Sequence, residues 1–362
     1  MEQNPTIAFV FGTRPEIIKL APVLRACENR DISYIQIHTG QHYSDSLDSI
    51  FFDQLNLPIP EYNLEVGSQS HGQQTGEMIA EIETVLTETR PETVLVQGDT
   101  NSVLAGAIAT SKLPAVDLAH IEAGLRSFDR EMPEEINRRL TDHAAEYLFP
   151  PTESAREHLR EENIPDDRIT VTGNTIVDAV TQHVELAHRQ SSVHETLDLD
   201  QRYALLTAHR AKNVDDEDRL KSLLEGVARS AREHDLTVVY PIHPRAESQL
   251  ADSGVEVPEV ITLIEPQPFL DFLVLEDDAT LIFTDSGGVQ EEACILGMPC
   301  VTLRDNTERP ETVTVGANRV AGVDPDDIAA AADAMIDIQE DWDNPFGDGT
   351  AAEKIVEEVR PR

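Results

Sequence analysis

Three carboxylates, one histidine and one glycine turn carry the chemistry legible in this chain. Residues 281–303 read as an apolar strand, the turn Ser286-Gly287-Gly288, an amphipathic helix and a second apolar strand. Gly297 and Pro299 stand where that helix should stop. The turn sets free backbone N–H groups at a helix N-terminus with almost no side-chain bulk, which suits a phosphate or diphosphate. Glu292, about one turn into the helix, can accept two hydrogen bonds from a ribose diol. Arg304 and Arg309 follow the second strand and can meet phosphate charge.

The carboxylates lie in the first half. Asp99 follows the strand at 93–97 and Glu122 follows the strand at 116–120, so both sit at the C-terminal edge where open α/β sheets bind ligands. Glu134 begins the next helix, in Met132-Pro133-Glu134-Glu135. Carboxylates converging on one edge repel one another, which can hold one of them protonated and suits general acid and base work. His209 ends the strand at 203–208 and leads to Arg210 at a charged tip.

The elements behind these residues are those of parallel sheets. Residues 6–11 form a near-continuous apolar run, as expected of a strand buried on both faces. The turn Gly12-Thr13-Arg14-Pro15-Glu16 follows, with capping-box spacing between Thr13 and Glu16 and Pro15 in the first helical turn. The dinucleotide fingerprint G-x-G-x-x-G is missing there, and Arg14 and Lys19 take its place. Two cations at a helix start point to a phosphorylated substrate rather than to a nicotinamide. A helix carrying Leu47, Ile50, Phe51 and Leu55 is expected next, then a polar loop over 67–75 and a helix over 77–89. Residues 181–196 read as a polar excursion between domains. Phe272, near the nucleotide turn, offers a flat ring for a base.

Composition sets the outer bounds. The 362 residues leave room for two domains. They carry 68 acidic against 28 basic side chains, a formal charge of −40, which argues against nucleic acid and anionic membranes as partners. An acidic excess spread over the whole chain is the expectation for a protein adapted to high salt, where self-repulsion is screened. Acidic runs at 215–218 and 324–327 fall at expected helix starts, where they also suit the dipole. The three cysteines, Cys27, Cys294 and Cys300, form neither a disulfide framework nor a zinc motif, and the last two fall on apolar elements. A polar N-terminus that runs into a strand is no signal peptide, and no apolar run is long enough to span a bilayer. A cytoplasmic protein is expected.

Taken in order, Gly12-Thr-Arg-Pro-Glu-Ile-Ile-Lys19, Gly98-Asp99-Thr100, His120-Ile-Glu-Ala-Gly-Leu-Arg126, Pro133-Glu-Glu-Ile-Asn-Arg138, Thr172-Gly-Asn-Thr-Ile-Val-Asp178, Thr207-Ala-His-Arg210, Asp285-Ser-Gly-Gly-Val-Gln-Glu-Glu292 and Thr307-Glu-Arg-Pro-Glu311 resemble the non-hydrolysing UDP-N-acetylglucosamine 2-epimerase family. The resemblance implies an α/β fold of two Rossmann-like domains facing a cleft, GT-B-like, with the C-terminal helix returning to the first domain. Residues 1–171 and 349–362 would form the first domain, residues 172–348 the second. It also implies reversible C2 epimerisation of a UDP-sugar, no organic cofactor, no metal and a homodimer. Asp99, Glu122 and Glu134 would be the acid–base group, and His209 and Arg14 would stabilise the departing diphosphate. Lys19, Ser286, Gly287, Gly288 and Arg309 would hold phosphates, Glu292 the ribose, and Gln267 and Phe272 the uracil. Some bacterial members bind a second UDP-sugar as activator, a role that would fall here to Gln41, His42, Arg210 and His243.

The chain departs from the family pattern in places. Ala211-Lys212-Asn213 follows Arg210 where many members have Arg-Glu-Asn, and the Ser68-Gln69-Ser70-His71 loop differs from that of the regulated bacterial members. The rival readings are an epimerase of a UDP-diacetamido-uronic acid sugar, a hydrolysing epimerase, a GT-B glycosyltransferase and a non-catalytic nucleotide-sugar sensor.

Overall fold

The computed structural model describes residues 5–41, 52–199, 202–338 and 342–359. Two compact units divide it, one running to Ala179 and resuming at Phe346, the other spanning Val180–Pro345. In the first, β1 (Ile7–Phe11), β2 (Tyr34–His38), β3 (Tyr62–Asn63), β4 (Thr93–Gln97), β5 (Asp117–Ile121) and β6 (Tyr147–Phe149) form a parallel sheet of order β3-β2-β1-β4-β5-β6. In the second, β7 (Tyr203–Thr207), β8 (Thr237–Pro241), β9 (Ile261–Ile264), β10 (Leu281–Thr284), β11 (Cys300–Thr302) and β12 (Asn318–Val320) form another, of order β12-β11-β10-β7-β8-β9. Both are the doubly wound order, and each has a switch point where the chain reverses its direction of travel across the sheet: β1/β4 in one unit, β7/β10 in the other. Every central strand is buried on both faces, which explains the unbroken apolar runs. Fully buried Phe283 and Tyr240 in the second core each contribute about 2 kcal/mol by leaving water.

The final helix, Ala351–Val359, packs on the first, Arg14–Glu28, inside the first unit, so the chain does return to its first domain. Its start is held by Asp178, whose carboxylate accepts from Ala352 N–H at 2.9 Å and Ala351 N–H at 3.3 Å. For that reason the first turn of helix Thr175–Gln190 belongs to the first unit.

Two expectations about local structure need correction. Residues 181–196 are no loose excursion, since helices Thr175–Gln190 and Val193–Leu197 cover most of them. The buried stripe is Ile176, Val180, His183 and Ala187, and a histidine among its members hid the helical period. The polar loop at 67–75 turns helical from His71, because helix His71–Thr89 starts earlier than its apolar pattern. Gln74 supports those extra residues by donating to Gly67 O at 2.7 Å and Gln41 O at 3.3 Å. Of the helix expected over Leu47, Ile50, Phe51 and Leu55, the first three residues lie outside the described ones; residues 52–54 are helical and Leu55 falls in the turn that follows.

All three cysteines are free and buried. Burial pushes the thiols of Cys27 and Cys294 up to about 12, so both are inert packing groups. Among the described residues, no helix is long and apolar enough to cross a membrane.

Candidate active site

In the first unit, the turns that leave β1, β4 and β5 meet at the switch point. Gly12 has to be glycine, because a Cβ there would stand 2.1 Å from Thr39 Oγ1 and 2.3 Å from Ser102 Oγ. The close approach lets helix Arg14–Glu28 start directly over the sheet edge. Lys19, in its second turn, reaches the end of β5, where its Nζ lies 2.5 Å from Glu122 Oε1. Glu122 is buried at 7 % exposure and takes a left-handed φ of +66°, an unusual backbone for glutamate. Its N–H donates to Phe149 O on the neighbouring strand. A Cβ on Gly98 would stand 3.5 Å from Glu122 Oε2, so the β4 turn lies against this carboxylate.

Asp99 is the next residue of that turn. Its Oδ2 accepts from Arg138 Nη2 at 2.6 Å and Nε at 2.9 Å, and its carbonyl accepts from Asn137 Nδ2. Asp99 and Glu122 thus each have a cation of their own, one guanidinium and one ammonium. Where mutual repulsion between the two was expected, each faces a cation instead.

Glu134 and Glu135 open helix Pro133–Ala144 side by side and part company there. Glu135 is fully buried and anchors the preceding loop, accepting from Ser127 N–H, Ser127 Oγ, Arg138 and Arg139. Burial alone would raise its pKa, yet these donors hold it below the usual carboxylate range. Glu134 is half-buried, one turn before the Arg138 that holds Asp99.

Sequence reasoning passed over what lies beneath. Fully buried His120 donates from Nε2 to Gly98 O at 2.8 Å, and its Nδ1 is 2.7 Å from Asp142 Oδ1. Asp142 Oδ2 in turn holds Arg126 and the Gly124 N–H. The carbonyl it fixes belongs to the residue before Asp99. Glu16, read as a helix cap, is buried and ties two turns together. It accepts from Gly12 N–H at 3.1 Å, Thr13 Oγ1 at 2.7 Å and Thr100 Oγ1 at 2.9 Å. Burial pushes its pKa up to about 7 against those donors. His120 and Arg126 stood in a quoted motif and could have been weighed from it. Arg138 and Glu16 stand in such motifs too, whereas Asp142 carries no signal beyond its charge.

Arg14 is exposed at its helix start. Gln41 is engaged inside the first unit, its Oε1 accepting from Ser102 N–H and Ser102 Oγ. His42 lies outside the described residues.

The second unit builds its site at the β7/β10 switch point around fully buried Asp285. That carboxylate accepts from the N–H groups of His209 and Arg210 and from Asn213 Nδ2, which pins the β7 turn to the β10 turn. His209 Nδ1 lies 3.3 Å from Asp285 Oδ1, and its ring centre is 5.8 Å from that of His243. Burial lowers the His209 pKa, Asp285 opposes this, and His243 and Arg210 add to the lowering. Ser286 caps helix Gly287–Leu296. A Cβ on Gly287 would meet no atom within 4 Å, and one on Gly288 only Ser286 Oγ at 3.8 Å. Neither glycine is forced by the protein's own packing, which leaves open room above the helix N-terminus.

A cavity of about 230 Å³ lies here, its walls including His209, His243, Gln267, Phe272 and Ser286. Its mainly apolar lining fits a flat base. Gln267 Nε2 donates to Glu265 O, and Phe272 is half-buried in helix Phe269–Asp277. Glu292 is half-buried further along its helix and does not line this cavity. Arg309 Nε lies 2.6 Å from buried Glu291, and Arg304 pairs with Glu308. His243 caps helix Pro244–Ser253, and Arg210 Nε donates to Asp285 O. Of the residues expected in a regulatory site, Gln41 belongs to the first unit, Arg210 and His243 to the second.

Two doubly wound units, one with paired carboxylates and one with a capped glycine turn, define a sugar-nucleotide type of α/β enzyme. The chain belongs to the UDP-N-acetylglucosamine 2-epimerase family, whose model matches residues 25–360. It is 52 % identical to a Methanocaldococcus jannaschii protein named UDP-N-acetylglucosamine 2-epimerase, over 97 % of each chain. It is 41 % identical to the Pseudomonas aeruginosa UDP-2,3-diacetamido-2,3-dideoxy-D-glucuronate 2-epimerase, over 97 % of this chain and 98 % of that one. The crystal structure of the M. jannaschii epimerase in complex with UDP-GlcNAc and UDP matches with a TM-score of 0.88 at 51 % identity, covering 98 % of this chain and 99 % of that one. The family and the two-domain, GT-B-like fold that the motifs implied are therefore established.

Proposed function

We propose that this protein interconverts UDP-N-acetylglucosamine and UDP-N-acetylmannosamine by inverting C2 of the hexose. The C2 proton is not adjacent to a carbonyl, so its direct removal has no stabilised carbanion to form. Elimination avoids the difficulty. A carboxylate takes the C2 proton, the C1–O bond breaks with its electron pair, and UDP departs to leave a 2-acetamidoglycal. UDP then adds back at C1 while an acid delivers a proton to the opposite face of C2. Atoms and charge balance with no oxidant and no cofactor.

The observation that carries this reading is the pair of strand-end carboxylates, Asp99 and Glu122, held by separate cations beside the β1/β4 switch point. Inversion requires one group that enters ionised and takes the C2 proton, and a second that enters protonated and delivers one to the opposite face. Glu134 completes the acid–base group. His209 and Arg14 meet the charge that develops on the leaving diphosphate. Lys19, Ser286, Gly287, Gly288 and Arg309 hold phosphates, Glu292 the ribose diol, and Gln267 and Phe272 the uracil. The same reading carries a cytoplasmic homodimer, which light scattering on the purified protein tests.

Incubation with UDP-N-acetylglucosamine in D2O, followed by NMR, tests the chemistry. Deuterium should enter C2 as the mannosamine isomer accumulates, and a C2 that stays protiated refutes it. A second reading, the same inversion on a diacetamido uronic acid sugar, is favoured by the P. aeruginosa relative. Assaying both UDP-sugars side by side separates the two.

A further inference from the structure

Glu276 lies in helix Phe269–Asp277, which packs against helix Gly287–Leu296, and only 1 % of it is exposed. Its carboxyl hydrogen-bonds that of Glu292 across the two helices. Its Oε1 has no hydrogen-bond partner. Among the described residues, the largest charge effects on it come from Glu292 on the facing helix and Asp277 on its own, and the Cys300 thiol of β11 is near enough to feel its charge. None of them is a cation. A carboxylate left charged in such a place has neither water nor a counter-ion, which costs several kcal/mol. Two carboxyl oxygens in hydrogen-bond contact also need a proton between them. The less exposed partner keeps it, because Glu292 is half-open to solvent. Consistently, burial raises the Glu276 carboxyl well above the usual range, with the Glu292 charge next in effect.

We infer that Glu276 is a positioning residue, a buried carboxylic acid that donates a hydrogen bond to the Glu292 carboxylate and fixes it to receive a vicinal diol. The inference rests on the reading of Glu292 as the ribose-holding residue. An ionised carboxylate has about four lone-pair sites. One is taken by Glu276, which sets the carboxylate plane and leaves the half-open side of Glu292 to meet the two hydroxyls. Nothing in the tight packing of two helices requires an acid at position 276. A methionine or leucine would fill the space and leave Glu292 unsupported.

The test uses the full chain, with UDP and 2′-deoxy-UDP as probes in calorimetry and infrared spectra of the protein at neutral pH. Glu276→Gln keeps a donor and should hold UDP affinity within about threefold of native. Glu276→Leu removes the donor and should weaken UDP roughly tenfold or more, with little change for 2′-deoxy-UDP, so that discrimination collapses. The native-minus-Glu276→Gln infrared difference should contain the C=O stretch of a protonated carboxyl. If that band is missing, or Glu276→Leu discriminates as well as native, the inference is overturned. Glu292→Gln isolates the underlying reading. If that variant keeps the native ratio of UDP to 2′-deoxy-UDP affinity, the ribose assignment falls and the diol role of Glu276 falls with it, while the infrared band judges the shared proton on its own.

Discussion

Lys19 Nζ stands 2.5 Å from Glu122 Oε1, joining the first helix of the chain to a glutamate in left-handed backbone at the end of β5. The ammonium both neutralises Glu122 and orients it. Glu122→Gln should lower C2 deuterium exchange by roughly 10²–10⁴-fold, the usual worth of an acid–base group, while UDP still binds. Lys19→Met removes a cation from a buried carboxylate and should cost roughly 3 kcal/mol in urea unfolding. Native exchange in Glu122→Gln would remove that residue from the acid–base group.

Glu16 predicts a pH dependence of stability with a definite sign. Its pKa in the folded protein is about 7, against 4.5 for the free side chain, because burial disfavours its charge. Between those values the unfolded chain has lost a proton that the folded chain keeps, so stability falls as pH rises and levels off above about 7. The loss amounts to roughly 3 kcal/mol. Glu16→Gln cannot ionise, so its stability relative to native should rise over the same interval. Parallel urea midpoints for the two proteins across that interval would show that Glu16 does not titrate there.

The buried chain His120–Asp142–Arg126 should behave as one unit. Burial would raise the Asp142 pKa, but the contacts with His120 and then Arg126 hold it below the usual range. Asp142→Asn strips a fully buried guanidinium of one of its two carboxylates and should destabilise by roughly 3–5 kcal/mol. It should also loosen the Gly98 carbonyl held by His120, lowering kcat more than it raises KM. A change in KM alone would separate the network from Asp99.

His209 should work as a neutral ring near neutral pH, since burial lowers its pKa and His243 and Arg210 add to the effect. Removing a nearby like charge raises a histidine's pKa. His243→Ala should therefore move the acid limb of kcat to higher pH, whereas His209→Ala should abolish that limb and cut exchange with UDP still bound. An unmoved limb in His243→Ala would assign it to another group.

What the sequence made legible was whatever repeats or stands alone. Near-continuous apolar runs such as 6–11 announced buried parallel strands, and the Ser286-Gly287-Gly288 turn announced its helix. Strand ends placed Asp99 and Glu122 correctly at one sheet edge, because the ends of parallel strands fall on the same side. Partnership was not legible. Arg138 reaches Asp99 across 39 positions and Lys19 reaches Glu122 across 103, distances over which no local pattern operates. The adjacent Glu134 and Glu135 look alike as letters, and only the helix phase turns one outward and buries the other.

The acidic surface yields the last prediction. Several of the acids are fixed locally: Asp216 and Asp324 cap their helices, and Asp215 pairs with Arg245. These contacts persist at any ionic strength where their geometry holds. The remaining charge does not pair, since 68 acidic side chains face only 28 basic ones. In dilute buffer that excess repels itself in the compact state, and the repulsion is relieved on unfolding. Molar salt shortens the screening length to about 3 Å, below the spacing of most surface charges. The melting midpoint should therefore rise from dilute buffer to molar KCl. Screening should give much of the rise by the first few tenths molar, since the Debye length is already about 8 Å at physiological ionic strength. Each kcal/mol recovered is worth roughly 2–4 °C for a domain of this size class. A midpoint that is flat or falling with KCl would mean that the acidic excess is not a salt adaptation.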